Sequence, residues 1–252
     1  MQFDLNKPVL AIETATPVCS VSMRLPDGNV FEERTEGKGV HSDWTFVFIQ
    51  SLLDRGKLRA GDLGGVLISS GPGSFTGLRV ASSAVKGLLF DLDIPLFACN
   101  TLAGIAAGVW CRHFSDDGDF RQTDPLTVHT VIDARRNHLY HQSWKVSSDG
   151  ITPENTAEAR SLDELLPVCI ENPNFFGTGL DRMEQLIDSQ QGKGKLLPYL
   201  NDLEVISARN YFYFMDSPQF RDFALKEHAG ASVFESLVKM VDPASFEPHY
   251  YS

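Results

Sequence analysis

The run Gly71-Pro72-Gly73-Ser74-Phe75-Thr76-Gly77-Leu78-Arg79 constrains the fold more than any other stretch of the chain. It joins an apolar run, Val66-Leu67-Ile68-Ser69, to a helical pattern of small residues, so the order predicts strand, glycine turn and helix start. The glycines reach backbone angles closed to other residues, and Ser74 stands where its hydroxyl can cap the amides of a helix running to about Phe90. Such an amide-lined turn can hold a phosphate; it can equally be a tight turn that seats a helix close on a sheet. No Lys-Ser or Lys-Thr pair follows Gly77, so the P-loop signature of nucleotide hydrolysis is missing.

Around this turn the pattern alternates in a regular order. Val9 to Ile12, Cys19 to Arg24 and Val30 to Arg34 read as strands, and a helix opens at His41 or Ser42 and ends near Gly56. Val66 to Ser69, the glycine-turn helix, a strand at Pro95 to Ala98 and a helix from Thr101 to about His113 follow. The order implies a mixed sheet with helices on its faces. The polar stretch from Phe114 to Pro125 places a lobe boundary there, giving an N-terminal lobe over 1–114 and a smaller or degenerate C-terminal lobe over 115–252. In the second lobe Leu126 to Ile132 and His138 to Val146 read as hairpin mates around Asp133-Ala134-Arg135-Arg136-Asn137. A helix over Ser161 to Ile170 has Ser161 and Glu164 in capping-box spacing, and Asn174 to Gly179 is a strand ending in a glycine turn before a helix from Leu180 to Asp188. The halves echo one another. Further helices are expected from Ser207 to Phe214 and from Val233 to Val241, with an irregular join at Ser217-Pro218.

A chain of 252 residues with 42% hydrophobic and 22% charged residues buries a sizeable core. The formal net charge of -11 argues against gripping nucleic acid with its own surface, so any RNA role is expected to be indirect. Cys19, Cys99, Cys111 and Cys169 are scattered and read as buried reduced thiols. With no signal-like segment at the N-terminus and no run long enough to span a bilayer, the expected location is the cytoplasm, with no membrane contact.

Glu13-Thr14-Ala15-Thr16, at the tip of the first hairpin, puts an acid beside small residues. In phosphotransferases with an actin-like core an acid at that place sits near metal-bound phosphate; the plainer reading is a structural carboxylate accepting hairpin amides. Glu13, Thr14, Gly71, Gly73 and Ser74 are therefore the phosphate-loop candidates. The histidines offer no local metal motif: His138 and His141, three apart on a strand, point to opposite faces, and no His-x-x-x-His helix exists. There is no Gly-x-Ser-x-Gly elbow, so no catalytic residue is assigned.

Gly77, Ala81, Ala84 and Gly87 let the second helix approach its neighbours closely, while Leu78, Val85, Leu88 and Leu89 supply core. With the aromatic first helix (Trp44, Phe46, Phe48) they also suggest a two-helix surface that another subunit covers.

Ala11 to Thr16, His41-Ser42, Gly71 to Arg79, Asp133 to Arg136 and Gly177-Thr178-Gly179 come in an order and spacing that resemble the TsaB (YeaZ) family, over roughly positions 9 to 180. The acid after the first strand is Glu here where the family carries Asp, and the tail from Glu247 to Ser252 departs from the family's ending. The resemblance implies an actin-like (sugar kinase, Hsp70 and actin) duplicated α/β fold, two lobes each with a mixed sheet flanked by helices. It implies a non-catalytic partner subunit of the machinery that makes threonylcarbamoyladenosine at adenosine 37 of tRNA, binding and activating a catalytic TsaD-like paralogue, with a TsaE-like ATPase joining. It implies no cofactor of the chain's own, ATP or ADP at the joint interface, and a partner surface on the two helices beginning at His41 and Ser74: His41, Trp44, Phe48, Phe75, Leu78, Arg79, Ser82 and Val85; alone, the same apolar surface is expected to pair with itself as a homodimer. The rival readings are an actin-like ATPase or kinase acting through Glu13 and the Gly71 to Ser74 turn, and a glycoprotease-like peptidase.

Overall fold

A computed structural model describes residues 3–114, 125–191, 203–217, 220 and 236–248. They fall into two units, Met1–Gly104 with Ser207–Tyr250, and Ile105–Ile206 with Tyr251–Ser252. Each is an actin-like mixed sheet flanked by helices.

The first unit carries β1 (Val9–Glu13), β2 (Val18–Arg24), β3 (Val30–Glu36), α1 (Val40–Gly56), β4 (Gly65–Ser69), α2 (Phe75–Leu88), β5 (Leu96–Cys99) and the start of α3 (Thr101–Phe114). Its sheet runs β11-β5-β4-β1-β2-β3, where β11 is Val238–Val241. β1 pairs antiparallel with β2 and parallel with β4, and β4 pairs parallel with β5. That placement makes β1 and β4 central, so every residue of both is buried, which is why they read as unbroken apolar runs. β3 is an edge and keeps the consecutive charged residues Glu32, Glu33 and Arg34. Leu52, Leu53, Ala81, Ala84 and Val85 of the two helices close over Leu10, Ile12, Val66 and Ile68. Fully burying an aliphatic side chain of this size stabilises by about 1.5–3 kcal/mol.

The second unit repeats the plan with β6 (Leu126–Asp133), β7 (His138–Ser147), β8 (Gly150–Pro153), β9 (Glu158–Ser161), α4 (Leu162–Glu171), β10 (Phe175–Gly177) and α5 (Leu180–Gln191). Its sheet runs β10-β6-β7-β8, with β9 also on β7. β6 and β7 are antiparallel and β10 returns parallel to β6, so β6, β7, α4, β10 and α5 echo β1, β2, α1, β4 and α2. Ser161 caps α4 in a reciprocal capping box with Glu164, as their spacing predicts.

Several expectations need correcting. The C-terminal stretch does not stay with the second lobe: Ser207–Tyr250 groups with the first unit, because β11 zips antiparallel onto β5, from Val238 opposite Cys99 to Val241 opposite Leu96. For the same reason the helix expected over Val233 to Val241 is a strand across its last four residues; positions 233–235 lie outside the described residues. So does Pro218 of the irregular join, and the lobe boundary expected at 114/115 falls instead between Gly104 and Ile105, inside α3. α6 (Phe212–Asp216) and the 3-10 turn Ala208–Tyr211 fill the stretch where one helix was expected. All four cysteines are free, and Cys111 is only half-buried. No described helix is long and apolar enough to cross a membrane.

Candidate functional site

Glu13 ends β1 and is buried, with 1% of its surface exposed. Its Oε1 accepts the Ala15 N–H at 2.7 Å, and its Oε2 accepts the hydroxyl of Tyr211, itself 1% exposed. Burial pushes the carboxyl up to about 7, against the opposing pull of the Tyr211 and Ala15 hydrogen bonds. Burial, with the Glu13 charge beside it, likewise pushes the Tyr211 phenol well up. The acid is thus a hydrogen-bonded core group facing the chain's own tyrosine.

The glycine turn clasps the same hairpin tip. Ser74 N–H donates to Ala15 O at 2.6 Å, Thr14 Oγ1 donates to Gly77 O at 2.9 Å, and Thr14 N–H donates to Ser69 Oγ at 3.2 Å. A Cβ on Gly73, whose φ is 156, would meet Ala15 O at 2.2 Å, and one on Gly77 would meet Thr14 O at 1.9 Å. Glycine is needed at both places because the two loops touch backbone to backbone. Ser74 caps α2 by accepting the Gly77 N–H at 3.2 Å. Gly71 O accepts the Thr101 N–H at 3.0 Å and so ties the turn to α3. The structure therefore brings all five phosphate-loop candidates together, with the amides of Thr14, Ala15 and Ser74 engaged inside the protein.

The starts of α1 and α2 meet at His41, whose Cδ2 lies 3.0 Å from where a Gly77 Cβ would be. Around this contact large apolar side chains face water: Trp44 is 43% exposed, Val47 50% and Phe75 47%. The Arg79 guanidinium lies over the Phe75 ring at 4.3 Å, and Trp44 stacks on Phe48 at 5.4 Å.

In the second unit a buried polar cluster sits in the β6–β7 register. His129 Nδ1 lies 3.1 Å from His141 Nε2 and 3.0 Å from Ser143 Oγ, and both imidazoles stack on Phe175. Burial pulls His129 down to about 4 and His141 to about 3, so both are neutral. A search by local spacing misses this pair, because one histidine lies on each strand. The register would have found it: a turn pairing Asp133 with Leu139 sets His129 opposite Ser143 and Val131 opposite His141, all on one face. Among the described residues no group of three or more His, Cys, Asp or Glu is placed to hold a metal ion.

The family model for TsaD, tRNA N6-adenosine threonylcarbamoyltransferase, matches residues 36–168. The tRNA threonylcarbamoyladenosine biosynthesis protein TsaB of Bacillus subtilis is 32% identical over 187 residues, 73% of this chain and 76% of that protein. The chain belongs to the TsaB family. The Escherichia coli member is 28% identical over 158 residues, and the match spans 64% of it, just under two thirds of its length. A crystal structure of a protein similar to the peptidase YeaZ from Pseudomonas aeruginosa superimposes over 98% of this chain and 100% of that one, with a TM-score of 0.68 at 21% identity. The fold is shared across that distance.

Set on this family fold, the expected partner surface divides. Trp44, Phe75 and Arg79 stand on the outside, whereas Leu78 and Val85 are 0% exposed, and His41, Phe48 and Ser82 are buried too. Ser82 Oγ donates to Phe246 O at 3.1 Å, within the chain's own unit. The correction has a simple cause. The small residues of α2 seat it so closely on the sheet that the large residues between them are driven into the core, and the outer face is left to Thr76, Arg79, Ser83 and Gly87. The buried Tyr211 was not anticipated and no local signal points to it, whereas the exposed Val47, one turn on from Trp44, shares that residue's helical face.

Proposed function

We propose that the chain serves tRNA threonylcarbamoyladenosine biosynthesis as a non-catalytic subunit that binds and activates a TsaD-type catalytic subunit through the starts of α1 and α2. The observation that carries this is the exposed aromatic pair, Trp44 and Phe75, flanking the His41–Gly77 contact. Aromatic side chains half in water on adjoining helix starts are the anchors that protein partners cover, and the Arg79 guanidinium supplies a directional neighbour. The Glu13 carboxyl supports the assignment of chemistry to the partner. An acid drawn up to about 7 by burial and held by Tyr211 and Ala15 is a poor ligand for a magnesium nucleotide. In this reading ATP or ADP sits at the joint interface, a TsaE-type ATPase joins the assembly in the cytoplasm, and the same face pairs with a second copy when the catalytic subunit is absent.

The test is sedimentation of the chain mixed with the TsaD-type subunit from the same organism. Complex formation with the unaltered chain, and its loss with Trp44→Glu or Phe75→Glu, is expected. Unchanged binding by both variants would overturn the surface. Calorimetric binding of ATP and magnesium to the isolated chain, with turnover lost in Glu13→Gln, would overturn the non-catalytic role.

A further inference from the structure

The tip of the β6–β7 hairpin, Asp133-Ala134-Arg135-Arg136-Asn137, takes no part in that surface. Its counterpart in the first unit, the Glu13 to Thr16 tip, is buried against the glycine turn. This one stands in water, with Arg135, Arg136, Asn137 and His138 all exposed. Two features make it more than a loose turn. Both arginines hold a left-handed backbone, at φ 67 and φ 51, where Asn or Gly is the usual occupant and a long side chain costs conformational energy. Such residues persist only where their surroundings hold them, and they gather at ligand clamps. A strut does the holding. Arg182 donates from Nη2 to Asp133 Oδ1 at 2.6 Å and to His138 O at 3.3 Å, and from Nη1 to Arg136 O, while Asp133 Oδ1 also accepts the Arg135 N–H at 2.6 Å. Gly179, at φ 83, lies against the same strut: a Cβ there would meet Leu139 Cδ2 at 2.6 Å and Arg182 Nη2 at 3.2 Å.

Among the described residues neither the Arg135 nor the Arg136 guanidinium has a hydrogen-bond or ion-pair partner. The flanking acids are engaged: Asp133 by Arg182, Asp163 by Asn137 at 3.2 Å and Glu164 by Ser161 at 2.8 Å, leaving Asp181 in water. None of the large apolar side chains exposed among the described residues belongs to the tip or to Arg182. A protein interface needs such anchors, whereas a phosphate backbone needs fixed, solvated guanidiniums. We propose that this tip is a preformed phosphate clamp, in which Arg135 and Arg136 grip the sugar–phosphate backbone of an RNA. The inference rests on the chain serving tRNA modification. It also refines the expectation drawn from a net charge of -11, since that charge opposes a broad electrostatic grip and leaves a two-residue contact possible.

The experiment is fluorescence anisotropy of a tRNA transcript with the full chain across roughly 20–200 mM salt, compared with the double variant Arg135→Asn, Arg136→Gly. Both replacements accept a left-handed backbone, so the variant is expected to melt no lower than the parent. Its affinity should fall about tenfold or more at the lowest salt, and the log–log salt slope should drop by about 1.5, for two lost phosphate contacts. Poly-L-glutamate should not compete. Equal affinity and slope, no binding by the unaltered chain, competition by poly-L-glutamate, or a lower melting temperature in the variant would each overturn the clamp. Because the readout is RNA binding by the chain alone, failure here leaves complex formation with the catalytic subunit standing, and failure of that complex leaves this measurement standing.

Discussion

Tyr211 donates its hydroxyl to the carboxyl of Glu13 across 198 residues of sequence, and both side chains are buried. The bond ties the segment after the second unit to the hairpin tip that the glycine turn of the first unit clasps. It also satisfies an acid that would otherwise be stranded in the core.

Tyr211→Phe keeps the ring and removes the donor, so it should destabilise the chain by about 1–3 kcal/mol in chemical denaturation. Glu13 adds a pH dependence. Its native carboxyl at about 7 lies above the unfolded value of 4.5, so the native state holds the extra proton and stability falls as pH rises from 4.5 through 7. A shift of that size is worth roughly 3 kcal/mol. Unfolding curves at pH 5 and 8 should therefore show the Glu13→Gln variant gaining on the parent as pH rises, and parallel pH profiles would refute the assignment.

The buried imidazoles act in the opposite direction. His129 and His141 are held neutral, down to about 4 and about 3, against an unfolded value of 6.5, so their stability is present above 6.5 and is lost as pH falls through 4 and 3. Near-ultraviolet circular dichroism, with the buried Trp144 of β7 contributing to the second unit's signal, should show that unit losing packing in acid. His141→Gln should shift that transition to lower pH.

Two glycines of one helix should respond oppositely to alanine. Gly77→Ala drives a methyl into the Thr14 carbonyl and should cost several kcal/mol, whereas a methyl added at Gly87 would meet nothing within 4 Å, so Gly87→Ala should stabilise by about 0.5–1 kcal/mol. Thermal melts of the two variants test the clasp directly.

Leu78→Glu and Trp44→Glu separate core from surface. A charge at Leu78 has no route to water and should leave the chain unfolded. Trp44→Glu should leave melting within about 1 kcal/mol of the parent and abolish partner binding. If Leu78→Glu folds normally, α2 is seated differently from the arrangement described.

Much of both units was legible because their signals are local. Central strands read as apolar runs, Ser74 and Ser161 cap where capping chemistry puts them, and the Gly71 to Arg79 turn announces the β4–α2 junction. What escaped is tertiary in origin. β8 and β9 are polar edge strands whose only strand signature is pairing with β7, and β11 takes extended form because β5 offers it an open edge. By sequence Leu78 and Val85 read both as core and as partner surface; the core reading holds, because Gly77 lets α2 approach Thr14 so closely that both are buried. The Glu13 site was recognisable as an acid at a hairpin tip; its occupant, Tyr211, arrives from the far end of the chain.

The pairing of β11 with β5 also sets an order of events during synthesis. A sheet begun at Val9 waits for Val238 before its last strand is in place, so a nascent chain leaves the ribosome with the Leu96–Cys99 edge bare while the whole of the intervening unit is translated. That unit, whose sheet is complete by β10, is free to fold first, and the older half of the polypeptide finishes second.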